Sequence, residues 1–242
     1  MRSVVVVAAC VAMVACGSSG SGGGGGDGSS SSGGSSSSSS SGGGATTLGQ
    51  PEQGVATYYA ATGDGACGFG PSPGNLDVAA MDQPEWGGSA VCGECVAVTG
   101  PKGSVTVRIV DLCPECEAGH LDLSQQAFGQ IADLSAGNVP ITWQVVSCVV
   151  SGNVTYQIKD GSSQYWTAIQ VRNSRLPVAK LEWLQSGAWT DVARADYDYF
   201  VVASGVGPGS YQVRITSAQG ATLQDTLPPV QAGALVQGSG QF

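Results

Sequence analysis

Positive charge is scarce in this chain: 9 Lys and Arg stand against 18 Asp and Glu, for a net charge of −9. With no basic patch to offset phosphate repulsion, nucleic acid is not a partner. A polyanionic substrate is disfavoured, and a neutral polymer fits. A P-loop is missing, and no dinucleotide-type glycine pattern follows a strand. No nucleotide, metal or other cofactor is expected. His120 is the single histidine, and by itself it reads as a surface hydrogen-bonder. No internal repeat is evident. The apolar run "VVVVAACVAMVAC" is too short to cross ~30 Å of hydrocarbon and stay there, so it reads as a secretory signal.

That run ends "MVAC" before Gly17, a lipobox-like ending that makes Cys16 the candidate for lipidation. Residues 17–53 are a linker, almost pure Gly and Ser up to residue 44. Such composition cannot bury apolar surface, and the segment is expected to be disordered. Residues 54–150 hold short β-branched or alternating runs such as "GVATYYA", "SVTVRIVDL" and "ITWQVVSCVV". "LSQQAFGQIADL" has helical spacing, with Ser124 as N-cap. Residues 151–242 give several short strands at even spacing and no helix, as in a small β-sandwich. The tail "QAGALVQGSGQF" reads as loose.

Cysteine is missing after residue 148, whereas six cysteines lie in the first folded module. Cys92/Cys95 and Cys113/Cys116 match four-thiolate zinc spacing, but export favours oxidised thiols. Zinc would also strand Cys67 and Cys148. The favoured reading is three disulfides, whose connectivity spacing leaves open among fifteen pairings.

Two aspartates flank the Cys113–Cys116 hairpin. Asp111 ends a strand-like run, and Asp122 sits between Leu121 and Leu123. Each has a structural reading: Asp111 as a turn cap and Asp122 as a cap for the following helix. Each also has a chemical one, as a carboxylate acting on a sugar.

The ordered set "GVATYY", "ACGFG", "VCGEC", "IVDLC", "GHLDLS" and "WQVVSC", followed by "IKDGSSQYWTAIQVRN" and "ADYDYF", resembles the expansins, bacterial ones above all. The likeness runs from about Gly54 to Pro228. It implies an all-β fold: a six-stranded double-psi β-barrel with a short helix, then an immunoglobulin-like carbohydrate-binding β-sandwich. It implies the pairs Cys67–Cys92, Cys95–Cys148 and Cys113–Cys116. It also implies a monomeric, exported protein that binds cellulose and related wall glucans, and loosens them without cutting.

In that likeness Asp122 falls where related glycosidases keep their general acid, and Asp111 falls at the strand-end aspartate of the groove. Thr57, Tyr59, Glu115 and His120 line the groove. The usual base has no firm counterpart; Asp64 is a loose candidate. An acid without a base binds and strains a glucan but hydrolyses it poorly. Cys113 stands where bacterial expansins commonly carry an aromatic. In the sandwich, Tyr165, Trp166 and Tyr197 are expected to form a flat aromatic row, with Lys159 beside it. Adjacent strand residues point to opposite faces, so Tyr165 and Trp166 need an irregular strand start to share one. The alternatives are a glycosidase or lytic transglycosylase on cellulose or peptidoglycan, and a plain carbohydrate-binding adhesion protein. Membrane contact is expected only through the lipid anchor.

Overall fold

The computed structural model describes residues 44–242. The signal segment, Cys16 and all but the end of the Gly/Ser run lie outside the described residues. No helix among the described residues is long and apolar enough to cross a membrane.

Six strands close into a barrel in the order β1-β5-β2-β4-β3-β6. They are β1 (Glu52–Tyr59), β2 (Val78–Asp82), β3 (Cys95–Thr99), β4 (Ser104–Cys113), β5 (His120–Ser124) and β6 (Val139–Val146). The pairs β1/β5 and β2/β4 are parallel, and the rest of the barrel is antiparallel. Alternation drives the closure. Val105, Val107 and Ile109 of β4 and Leu121 and Leu123 of β5 all enter one core, while the residues between them face out. The helix α1 (Gln125–Ile131) lays Ala127, Phe128 and Ile131 on that core. Its N-cap is Ser124, whose Oγ accepts from the Ala127 amide at 2.9 Å and donates to the Leu76 carbonyl. The expected linker limit at residue 53 is too late. β1 begins at Glu52, and Leu48 already donates to the Val145 carbonyl at 2.9 Å.

The second half adds β7 (Thr155–Ile158), β8 (Thr167–Arg172), β9 (Val178–Gln185), β10 (Ala188–Arg194), β11 (Phe200–Val202), β12 (Tyr211–Ser217), β13 (Thr222–Leu227) and β14 (Leu235–Gln237). They run β13-β12-β9-β10-β11-β8-β7-β14. The strands enclose a core that includes Tyr156, Ile169, Leu181, Trp183, Val213 and Ile215. The tail is not loose. β14 pairs with β7, the Ser239 amide donates to Asp225 Oδ1 at 2.7 Å, and Gln241 Oε1 accepts from the Arg175 amide at 2.9 Å. Polar side-chain bonds order this segment where apolar alternation does not.

Barrel and sandwich are latched by polar groups. Gln170 Nε2 donates to the Cys67 carbonyl at 2.6 Å, Arg172 Nη2 to the Gly68 carbonyl at 3.0 Å, and Ser89 Oγ to the Ala195 carbonyl at 2.8 Å. Arg194 donates to Ser89 O and Ala90 O. The same guanidinium pairs with Asp198 at 3.3 Å and lies over the Phe200 ring.

Candidate functional site

A bulge builds the barrel's outer groove. Between Ala79 and Ala80 the β2/β4 register skips Val110, so Ala79 pairs with Ile109 and Ala80 with Asp111. The extra residue reverses the alternation. Without it Asp111 would follow Ile109 into the core. With it, the β1/β5, β5/β2 and β2/β4 registers set Thr57, Asp122, Ala80 and Asp111 side by side across four strands. At ~4.8 Å per strand the two aspartates are roughly 10 Å apart along this row.

Thr57 Oγ1 donates to Asp122 Oδ1 at 2.6 Å and lies 2.9 Å from His120 Nε2. A hydroxyl has one proton. If it goes to Asp122, the imidazole is the donor to Thr57, and a His120–Thr57–Asp122 relay results. Burial pushes the Asp122 carboxyl up, Thr57 and His120 pull it down, and the charges of Glu115 and Asp111 push it up again, with a net rise. Asp122 therefore suits a general acid. It does not cap α1; Ser124 does.

Asp111 has a bracing role as well. Its Oδ1 accepts from the Ala66 amide at 2.7 Å and from its own neighbour Leu112 at 2.9 Å. Gly65 permits this, because a Cβ there would sit 2.5 Å from Asp111 Cβ. The loose base candidate Asp64 is turned into its own loop, where its Oδ1 takes the Gly65 and Gly70 amides.

Tyr59 packs with Ala80 and the Cys113–Cys116 disulfide under the groove. Its hydroxyl is buried without a hydrogen-bond partner among the described residues. Burial, then the Asp111 and Asp122 charges, raise its pKa, so it stays a neutral phenol. Glu115 sits exposed on the hairpin that this disulfide closes. The other bridges join Cys67 to Cys92 and Cys95 to Cys148, the pairing implied by the family likeness. All six thiols of the barrel are thereby paired, which leaves none of them as a zinc ligand.

On the sandwich, Tyr165 and Trp166 precede β8 in a tight Ser163–Trp166 bridge, an irregular strand start. Tyr165 is 75% exposed; Trp166 is half-buried and lies outside the sandwich core. Gly205, at φ +69, supports the turn, because a Cβ there would come within 2.5 Å of the Tyr165 carbonyl carbon. Tyr197 is 41% exposed. Lys159 Nζ lies 5.6 Å from the Tyr197 ring centre and 5.3 Å from that of Tyr199. Tyr199 escaped the sequence reading. The signal was there: in "ADYDYF" the two tyrosines are two apart, and their rings lie 5.8 Å apart. Gly68, from the barrel, lines the same hollow as Lys159, Tyr197 and Tyr199, so this pair of tyrosines abuts the barrel.

The family described as "Lytic transglycolase" matches residues 51–143. Expansin-YoaJ of Bacillus subtilis is 41% identical over 184 residues, 73% of this chain and 78% of the relative. Expansin-like protein 1 of Dictyostelium discoideum is 35% identical over 201 residues, 77% of this chain and 70% of the relative. An expansin mutant of Clavibacter michiganensis, crystallised in complex with cellohexaose, superposes with a TM-score of 0.74 at 31% identity. That match covers 79% of this chain and 98% of the solved one.

Proposed function

Because the chain belongs to the expansin family, we propose that it binds cellulose and loosens non-covalent contacts between wall glucans without hydrolysing them. The observation that carries this reading is the groove row. Asp122 is raised by burial and positioned by Thr57, whereas Asp111 is tied to the Ala66 and Leu112 amides and Asp64 to its own loop. A proton donor without a carboxylate set to activate water can strain a glucosidic chain but turns it over poorly. The Tyr165, Trp166 and Tyr197 face, with Lys159 and Tyr199, offers rings and a cation for a flat glucan surface. The cellohexaose complex of the Clavibacter protein supports this ligand class.

A second reading is favoured by one observation, the match to the lytic transglycolase family over the barrel. A lytic transglycosylase on peptidoglycan needs an acid and no water-activating base. The apolar run ending at Cys16 and the Gly/Ser run after it support an exported protein held by a lipid anchor.

The test is to incubate the purified protein and Asp122→Asn with cellulose and with peptidoglycan. Bound protein, released reducing sugar, anhydro-muropeptides and mechanical creep of wall strips are measured. Cellulose binding and creep, with sugar release no greater than the variant's, is the expected result. Sugar or anhydro-product release that disappears in Asp122→Asn overturns it.

A further inference from the structure

Away from the groove and the aromatic face, a cleft of about 410 Å³ opens between barrel and sandwich. That volume lies within the size range of small-ligand pockets. Its walls carry Arg108 from β4 and Arg172 from β8, on either side of the domain joint. Both guanidiniums attend one ring: Arg108 lies 5.0 Å and Arg172 5.7 Å from the centre of Phe69. Asn75, Asn173 and Ser174 also line it, with the Asn173 amide donating to Ser151 O and Asn153 O and the Ser174 hydroxyl to Leu176 O.

Neither arginine forms an ion pair among the described residues. Arg172 spends two nitrogens on Gln170 Oε1 and Gly68 O. The Arg108 guanidinium has no hydrogen-bond acceptor among the described residues. The carboxylates on the cleft wall are engaged elsewhere: Asp77 holds Gln126 and Gln130, and Asp198 holds Gln170 and Arg194. In a chain with only 9 basic residues against 18 acidic ones, three arginines, Arg108, Arg172 and Arg194, line one cleft with two aspartates, Asp77 and Asp198; Asp198 pairs with Arg194, and Arg108 is the cation with no acceptor among the described residues. Burial, and then the Arg172 charge, depress the Arg108 pKa, so an anion placed between them would be favoured. A guanidinium fork fits a planar carboxylate with two parallel bonds.

We propose that this cleft is a binding site for a small carboxylate anion, held by Arg108 of the barrel and Arg172 of the sandwich. The ligand would bridge the two domains, so its binding stiffens the joint as well as filling the cleft. This site is independent of the glucan-binding reading. Its ligand chemistry has two sources, a uronic sugar or a simple dicarboxylate.

Isothermal titration of the full chain with galacturonate, malonate and cellobiose tests the proposal, with thermal unfolding measured at each ligand concentration. Saturable binding of either carboxylate is expected, with a rise in Tm, weakening on added salt, and no binding of cellobiose at this site. Galacturonate alone identifies a sugar acid; malonate alone identifies the simple anion. Arg108→Gln is expected to weaken binding at least tenfold, and Arg108→Lys less, because charge remains but the fork is lost. Cellulose binding and circular dichroism confirm that both variants fold; if Arg108→Gln does not, Arg108→Lys carries the comparison. No saturable binding of either carboxylate, carboxylate binding that excess cellobiose displaces, or unchanged affinity in the folded variants overturns the proposal.

Discussion

Raising the pH should weaken this fold, and Asp198 is the main reason. Its carboxyl sits at the domain joint and is 5% exposed. Burial dominates over the opposing pulls of Arg194, Gln170 and Arg172, and pushes it from 3.8 up to about 7. A raised acid binds a proton more tightly folded than unfolded. Its stability contribution is therefore complete below pH ~4 and is lost as pH rises through ~7. At 1.36 kcal/mol per unit, two units between pH 5 and 7 amount to about 2.7 kcal/mol as an upper bound. For a chain of this size that corresponds to a Tm drop of roughly 5–10 °C. Glu94, pushed up by burial to about 7 against the pull of Arg194, acts in the same direction. Asp198→Asn keeps the shape and the Gln170 contact, and Asn tolerates the positive φ of 60 at this position. The assay is calorimetric unfolding at several pH values from 5 to 7.5. Wild type should lose Tm across that window, and Asp198→Asn should flatten the slope, leaving the shares of Glu94 and of Glu85, whose carboxyl burial and Asp82 push up to about 8. A wild-type Tm that holds or rises, or a variant slope as steep as the wild type, refutes the reasoning.

Other outcomes follow from single contacts. Tyr165→Ala removes an exposed ring. Stacking one ring face buries on the order of 50 Å², about 1.3 kcal/mol, so depletion isotherms should show about tenfold weaker cellulose binding with Tm unchanged. Gly65→Ala forces a Cβ to 2.7 Å from Asp111 Oδ1 and displaces the Ala66 amide; urea unfolding should report a loss of about 1–3 kcal/mol. Arg194→Leu strips donors from the Ser89, Ala90 and Val178 carbonyls and removes the pull that lowers the Asp198 carboxyl, which then stays protonated. The expected cost, from the orphaned carbonyls, is about 2–4 kcal/mol, and a loss below 1 kcal/mol contradicts the latch.

Periodicity made much of the barrel legible, because the first half of β4 buries every second residue and α1 buries Ala127, Phe128 and Ile131 in helical register. The aspartates were visible as residues but not as a row. What aligns Asp111 with Asp122 is the Val110 bulge, and a bulge is a property of register between β2 and β4, not of local propensity. β14 was hidden for a related reason: its Leu235 faces solvent, so no apolar alternation announces it. Tyr199 was hidden inside a quoted motif, since only the fold shows that Lys159 reaches both rings. The latch between domains joins residues a hundred apart in sequence, such as Gln170 and Cys67, and no short-range pattern encodes it.

The disulfide at Cys113–Cys116 changes what the groove can contribute. Cys113 and Cys116 pack on Ala80 and Tyr59, beneath the row from Thr57 to Asp111. The position that the family commonly gives to a sugar-stacking aromatic is therefore taken up by a buried bridge. The groove is left with hydrogen-bonding and charged groups, which in water yield little net affinity, while Tyr165 and Tyr197 of the sandwich are exposed, as the proposed stacking surface requires. Affinity and loosening should then separate. Asp122→Asn is expected to abolish wall creep while changing cellulose affinity less than twofold. Tyr165→Ala is expected to weaken binding tenfold and recover full creep at saturating protein. Paired creep and depletion measurements decide the matter. If Asp122→Asn loses affinity in proportion to creep, the groove is itself the binding site, and the division of labour between barrel and sandwich is wrong.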